Sequence, residues 1–391
     1  MKHSYFLFLK KCHTVLILIL LLFIYPDCIN RENKAVNRIS DFRNEISRAE
    51  RFTLEKRKGY DVLTIINPWQ GVANLNYTYN LVRKGSQIPV ELDSSTVIFV
   101  PVKKIICMST THAAMISALC EDKSISGMSG IRFLYNKTLC KLAGQGLIEE
   151  VGYDANLNKE LILKIEPELI MMYGIGSESS SYLGKIKELG FKVVFDADYL
   201  ETDPLGKAEW IKVFGALLCK ENLADSIYNA EVDKYNELKT YINDKISHRP
   251  KVLLGYPFKD TWYISPGNSF ISKLIADAGG DYIWQNTVSS VSMPLGLENV
   301  YLQALTADFW LNIGSVRNKG EISAVDQRLE ELPCFKNGNL FNNNRRVNLN
   351  DGNDYWESGS VFPHIILKDI ATILHPELFN ENELFFYQKI N

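Results

Sequence analysis

The sequence contains no CxxC pair and only six histidines. Structural zinc sites are built from clustered Cys and His ligands, so that class of site is excluded. The GxSxG elbow, the HExxH helix and the GxxxxGK[ST] phosphate loop are missing, which removes the chemistries those patterns carry. Gly127-Met128-Ser129-Gly130 is too short to cradle a phosphate, and Glu149-Glu150 and Glu330-Glu331 read as solvated faces. Neither sign of charge dominates. With 43 basic and 46 acidic residues the net charge is -3, and nucleic-acid binding has no electrostatic support. Beyond the N-terminus no segment is apolar for long enough to cross a bilayer.

The N-terminus carries an address. Lys2, Lys10 and Lys11 precede an apolar stretch from Val15 to Ile24, then Pro26, Asp27 and Cys28, and the chain turns polar at Asn30. A positive region, a short apolar region and a processing site form an export signal. Cys28 stands where a lipoprotein signal places its lipidated cysteine, so residues 1–28 are expected as an export and lipoprotein signal, with an uncleaved anchor as the alternative, and 29–58, rich in charge, to form a polar tether. Export permits disulfides; the spacing of the remaining cysteines does not say which would pair. Cys107 and Cys219 sit in apolar surroundings and read as small buried hydrophobes.

From Tyr60 onward short β-type runs appear: Val62 to Ile66, Thr78 to Val82 and Thr96 to Val100, separated by Asn67-Pro68, Lys84-Gly85-Ser86 and Asp93-Ser94-Ser95. They are expected as strands on the edge of a first lobe. β and α patterns then alternate: a strand from Lys104, a helix from Thr111, a strand from Ser124, a helix over Lys159 to Ile165, a strand from Leu169, a helix from Tyr182 and a strand from Lys192. Such alternation with short Gly/Pro loops implies a mostly parallel sheet with helices on both faces. Glu221 to Ile246 contains no Pro or Gly, and Tyr228, Val232, Tyr235, Leu238, Ile242 and Ile246 recur at helical spacing. That predicts one long amphipathic helix, ended by Ser247-His248-Arg249-Pro250. The β/α alternation then resumes, with helices expected over Ser269 to Ala278, Glu298 to Ala304, Ser323 to Glu331 and Val361 to Leu374. The domains are accordingly 59–220 (first lobe with added strands), 221–247 (connecting helix), 248–378 (second lobe) and 379–391 (tail).

Several stretches carry a family resemblance. Lys104 to Ser109, Glu160 to Ile170 (ELILKIEPELI), Arg249-Pro250-Lys251-Val252, Leu274 to Gly280 (LIADAGG) and Leu297-Glu298-Asn299 occur in the order and spacing of one family. Over about residues 100–378 the chain resembles the helical-backbone (class III) periplasmic binding proteins of iron-siderophore and cobalamin importers. Gly352 to Gly359 and His375-Pro376-Glu377-Leu378 are similar to a lipoprotein branch common in Bacteroidetes-type bacteria. The resemblance implies an α/β fold of two Rossmann-like lobes with mostly parallel sheets joined by one long α-helix. It implies a monomeric, non-enzymatic capture protein in the periplasm, held to the membrane by its N-terminal lipid. Its ligand would be an iron-siderophore, haem or another metal-chelate or corrinoid, passed to an ABC permease and its ATPase. The chain would need no cofactor of its own, although the ligand would carry iron or cobalt. Two other readings stay open: an exported two-lobed metal-cluster protein resembling oxidoreductases, and a glycan-binding surface lipoprotein.

The resemblance also implies one glutamate per lobe facing the permease, here Glu160 and Glu298. The plain alternative is that both are acids favoured by a helix N-terminus. A ligand in such a fold lies between the lobes, at the C-terminal ends of the strands. The candidates there are Ser109, Thr110, Thr111, His112, Arg132, Tyr135, Tyr173 and Gly174 on the first lobe. On the second they are Tyr256, Trp262, Tyr263, Asp354, Tyr355 and Trp356. Aromatic rings offer a flat ligand broad contact and Arg pairs with its acid groups; for each aromatic, core packing is the competing reading. Trp69, after Asn67-Pro68, is a further residue within reach of the cleft. His112 is read either as touching a chelate or as a satisfied surface histidine. No set of residues is assigned to a metal.

Overall fold

The computed structural model describes residues 47–153, 156–174, 186, 189–379 and 383–391, all within a body spanning Asn44–Asn391. The export signal, Cys28, most of the tether and most of the helix expected from Tyr182 lie outside the described residues.

The first sheet is built from β1 (Phe52–Arg57), β2 (Tyr60–Ile66), β3 (Asn76–Arg83) and β4 (Val97–Val100), in that order. β1–β3 form an antiparallel meander and β4 pairs parallel to β3. Two expectations are corrected here. β1 falls in the stretch read as tether; it is an edge strand that buries Phe52 and Leu54 and exposes Glu55, Lys56 and Arg57, so its composition mimics a linker. These strands also form their own sheet rather than extending the lobe's.

The first-lobe sheet contains β5 (Ile105–Cys107), β6 (Ile125–Met128), β7 (Glu149–Glu150), β8 (Leu169–Met172) and β9 (Val193–Phe195), ordered β7-β6-β5-β8-β9 and all parallel. Ile105, Ile106, Cys107, Leu169 to Met171, Val194 and Phe195 are almost fully buried, the continuous apolar reading of strands covered on both faces. The second lobe continues with β10 (Lys251–Leu254), β11 (Pro257–Phe258), β12 (Thr261–Ile264), β13 (Asp281–Tyr282), β14 (Met293–Gly296), β15 (Phe309–Leu311), β16 (Leu340–Asn342) and β17 (Gln388–Lys389). Its main sheet is β13-β10-β15-β16-β17, parallel except for β17. Part of the expected tail is thus an antiparallel edge strand. β11, β12 and β14 make a small antiparallel sheet of their own. The helix expected over Ser323 to Glu331 is instead a helix at Lys319–Ser323 and a 3-10 turn at Gln327–Glu331.

Glu221–Lys245 is one unbroken helix of 25 residues, about 37 Å long at ~1.5 Å per residue. Glu221 in its first turn and Lys245 in its last complement the helix dipole. Its buried stripe is Ala224, Tyr228, Glu231, Tyr235 and Ile242. Ala224 and Tyr228 belong to the core of the first lobe, Tyr235 and Ile242 to that of the second. Burying each large apolar side chain is worth about 1.5–3 kcal/mol, so the rod is fastened independently to both lobes. Glu231, between the two groups, accepts from His364 N (2.8 Å) and lies 2.6 Å from His364 Nδ1, which fixes the start of the helix Pro363–Leu374.

Candidate functional site

The order of each sheet decides where a ligand can sit. In the first lobe the chain runs outward from β5 through β6 to β7, then returns to place β8 on the other side of β5. In the second, β13 and β15 flank β10. The connections leaving two such neighbouring strands diverge to opposite faces and leave a crevice beyond the strand ends. Ser109 and Thr111 after β5, Tyr173 after β8, Leu254 and Gly255 at the end of β10 and Asn312 after β15 all line the same cleft, of ≈ 1260 Å³. The two switch points therefore open into a single space.

On the first-lobe side the wall is continued by Glu50, Arg51, Trp69, Asp198, Tyr199 and Lys207. On the other side it is formed by Ser265, Asn268, Phe270, the loop 288–292, Tyr355 and Trp356. Ser109 caps the helix Thr110–Ala118, its Oγ accepting from Thr111 N at 3.2 Å. Trp69 packs edge-on against Phe195, centroids 5.3 Å apart. Tyr355 and Trp356 meet edge to face at 4.7 Å; Tyr355 is buried and Trp356 is 54% exposed, so Trp356 presents a free ring face at the rim.

Charge beneath the first-lobe wall is largely matched internally. Lys207 Nζ lies 2.8 Å from Asp198 Oδ2. Burial, followed by the Asp198 charge, raises the Asp196 carboxyl well above its usual range. Glu201 is buried and accepts from Glu50 N, Arg51 N and Trp210 Nε1; burial pushes its pKa up as well. Glu209, also buried, accepts from Ser47 N, Arg48 N and Ala49 N and pairs with Lys212 Nζ at 3.1 Å. These two carboxylates strap residues 47–51 across the first lobe, so the start of the described chain forms part of the cleft instead of hanging free.

Of the residues expected from sequence, the structure gathers Ser109, Thr111, Tyr173, Tyr355 and Trp356 at the cleft, with Trp69. The others do not line it. His112 is buried behind the helix start, its Nε2 3.6 Å from Asp196 Oδ2; burial lowers its pKa to about 4, so it is neutral and touches neither solvent nor ligand, a correction to both readings offered for it. Thr110 is the first helical residue. Gly174 O accepts from Tyr199 Oη. Arg132 stacks on Phe133, 4.6 Å from the ring centroid, and Tyr135 lies 4.9 Å beneath Arg346. Tyr256 Oη donates to Glu321 O at 2.7 Å. Trp262 is fully buried, donates to Leu254 O at 2.9 Å and packs on Trp310. Tyr263 is exposed on the small sheet. Asp354 is buried and bound by Arg346 Nε at 2.6 Å. β11, β12 and β14 turn Tyr256, Trp262 and Tyr263 away from the cleft, and that pairing had no sequence signal.

Arg51, Tyr199, Phe270, Asn268, 288–292 and Asn312 are cleft residues that sequence reasoning missed. Phe270 and Asn312 each follow a recognisable element end, the Ser265-Pro266-Gly267-Asn268 turn and β15. Arg51 was hidden by the linker-like composition around it.

Glu160 and Glu298 are both exposed and both in the first turn of a short helix, Lys159–Ile165 and Leu297–Ala304. Glu298 is bound by Arg328 Nη1 at 2.7 Å, and Arg328 also holds Asp326.

No protein-family model matches the chain. Archaeal relatives do. "Uncharacterized lipoprotein MJ0878" of Methanocaldococcus jannaschii is 32% identical over 308 residues, 76% of this chain and 71% of its own length. "Uncharacterized lipoprotein MJ0872" of the same organism is 26% identical over 325 residues, 79% of each. Among solved structures, a periplasmic haem-binding protein of Pseudomonas aeruginosa superposes with a TM-score of 0.54 at 13% identity, covering 70% of this chain and 93% of that one. An ABC-type Fe3+-hydroxamate transport system protein of Saccharomonospora viridis gives 0.52 at 15% identity, over 70% and 93%. The two-lobed periplasmic binding protein fold is therefore shared, while the expected Bacteroidetes-type branch finds no support among the sequence relatives. By sequence, the chain belongs to the family of the Methanocaldococcus jannaschii lipoprotein MJ0878.

Proposed function

We propose that the protein is the extracytoplasmic substrate-binding component of an ABC importer, tethered through Cys28, and that it captures a metal-chelate such as a ferric siderophore, haem or a corrinoid. The observation that carries the reading is the single cleft fed by the switch points of both lobes and bridged by one continuous helix. Its volume, ≈ 1260 Å³, exceeds the ~300–1000 Å³ of ordinary small-molecule pockets, which suits a bulky ligand. Trp69, Tyr173, Phe270 and Trp356 offer ring surface from both sides, and the loops 265–268 and 288–292 supply small polar groups. Haem and Fe3+-hydroxamate appear in the names of proteins with the same fold, and "lipoprotein" in those of two archaeal relatives; both support the reading. The protein performs no chemistry on its cargo: it binds, is recognised at Glu160 and Glu298 by a permease, and releases. A helix rooted in both cores permits only small lobe movements, so the cleft is largely formed before the ligand arrives.

A screen of the purified chain by thermal shift and native mass spectrometry tests this. Haemin, ferric hydroxamates, ferric catecholates and cobalamin are the probes. One of them is expected to raise the melting temperature and add one ligand mass per chain. Failure of every probe to do either removes the proposal.

A further inference from the structure

Arg51 stands apart from the other charged groups at the cleft. Lys207 is paired with Asp198 at 2.8 Å. The oxygens of Glu201 are occupied by Glu50 N, Arg51 N and Trp210 Nε1. Asp198 N donates to Asp196 Oδ1, and Glu50 is exposed to solvent. The backbone of Arg51 is held on both sides: its N–H donates to Glu201 and its carbonyl accepts from Ile66 N at 2.8 Å. Its side chain lines the cleft, yet among the described residues it forms no ion pair and its buried Nε has no hydrogen-bond acceptor. The Arg51 charge acts on Glu201, but the oxygens of that carboxylate are already bound by N–H donors, so a guanidinium held rigidly at its root, partly desolvated and without a carboxylate hydrogen-bonded to it keeps its donors for an oxyanion from outside the chain.

We propose that Arg51 is the specificity-determining residue of the cleft and selects chelates that carry a carboxylate or catecholate oxygen over neutral and cationic ones. This rests on the reading of the cleft as a chelate site. It adds a role for the segment preceding the first lobe: the strap 47–51, closed by Glu201 and Glu209, delivers a cation that neither lobe supplies. Desolvation makes the pairing stronger than the same contact in water, and the fork of the guanidinium fits two oxygens where a lysine would meet only one.

The test is a calorimetric titration of the full chain, its Arg51→Gln and its Arg51→Lys variants. The probes are haemin, with two carboxylates, a ferric tris-catecholate, cationic ferrioxamine and cobalamin, neutral overall and with neither a carboxylate nor a catecholate. Tight binding of an anionic probe is expected to weaken about ten- to a hundredfold in Arg51→Gln, with partial recovery in Arg51→Lys and a shallower salt dependence. Any binding of the cationic or neutral probe is expected to change less than about twofold, within ~0.4 kcal/mol. An unchanged anionic affinity in Arg51→Gln overturns the role of Arg51 and leaves the chelate reading in place, as does a preference of the wild type for ferrioxamine or cobalamin. Binding of none of the four overturns both. A melting temperature of Arg51→Gln matching the wild type separates lost recognition from lost folding.

Discussion

Glu357 reaches from the second lobe to the first: its carboxylate accepts from Tyr135 N at 2.8 Å and from Asn136 N at 2.7 Å. Asn348 reinforces the seam by donating to Arg132 O and Leu134 O, each at 2.8 Å. On the hinge side, Lys273 of the second lobe binds Asp203 at 2.5 Å. The lobes are thus joined by polar contacts as well as by the helix.

Burial pushes the Glu357 carboxyl from its usual 4.5 up to about 7, with Asp354 adding to the rise and the two N–H donors opposing it. A carboxyl with a raised folded pKa favours the native state below the unfolded value, and that advantage fades as pH climbs through the folded one. Stability from this group is therefore fullest below about pH 4.5 and is lost by about pH 8, a change on the order of 3 kcal/mol. Thermal melts between pH 6 and 8 should fall with rising pH in the wild type and be flatter in Glu357→Gln. Equal slopes would assign the effect to other buried carboxyls that are also raised, Asp369, pushed up to about 6, and Asp196. His112 acts in the opposite sense: its pKa is lowered from 6.5 to about 4, so its contribution is present above pH 6.5 and lost as pH falls through 4.

Two tryptophans separate the site from the core. Trp262→Ala removes a fully buried ring that donates to Leu254 O and should cost about 3–5 kcal/mol of stability. Trp356→Ala removes a half-exposed rim ring; it should leave the melt nearly unchanged and weaken ligand binding about tenfold, ~1.4 kcal/mol. Denaturant melts paired with calorimetry check both.

Glu201→Ala leaves Glu50 N, Arg51 N and Trp210 Nε1 without their acceptor, at about 1–3 kcal/mol for each buried donor left unmet. Hydrogen exchange should show the amides of residues 50 and 51 losing protection while the long helix keeps its own. Unaltered exchange would mean that the strap is held by other contacts.

The double variant Glu160→Lys/Glu298→Lys should bind ligand like the wild type and fail in uptake. Arg328→Ala, which frees Glu298 from its internal partner, should keep uptake. A transport assay in cells carrying the permease reads both, and undiminished uptake by the double variant removes the docking role.

Much of the fold was legible in the sequence because its signals were periodic. The apolar spacing from Tyr228 to Ile246 marks the long helix within one residue of its observed C-terminus. The buried runs of β5, β8 and β10 stand out because both faces of a parallel sheet are covered. The cleft was legible where a residue follows such a strand, as with Ser109 and Tyr173, and at the aromatic residues Tyr355 and Trp356. Trp262 and Tyr263 follow the same local pattern but belong to an antiparallel hairpin with β14, a pairing fixed by residues some thirty positions away. Arg51 and the three exposed charges of β1 were missed for a different reason: an edge strand presents the composition of a linker, and only the tertiary contacts of Phe52 and Leu54 tell the two apart.

The capture of one chelate in the cleft is tested most directly by a crystal structure of the chain with the probe that raises its melting temperature most. The metal-chelate is predicted to lie between Ser109 and Tyr173 on one side and Tyr355 and Trp356 on the other, one copy per chain. A ligand seated elsewhere on the surface, with the cleft left unchanged, would contradict it.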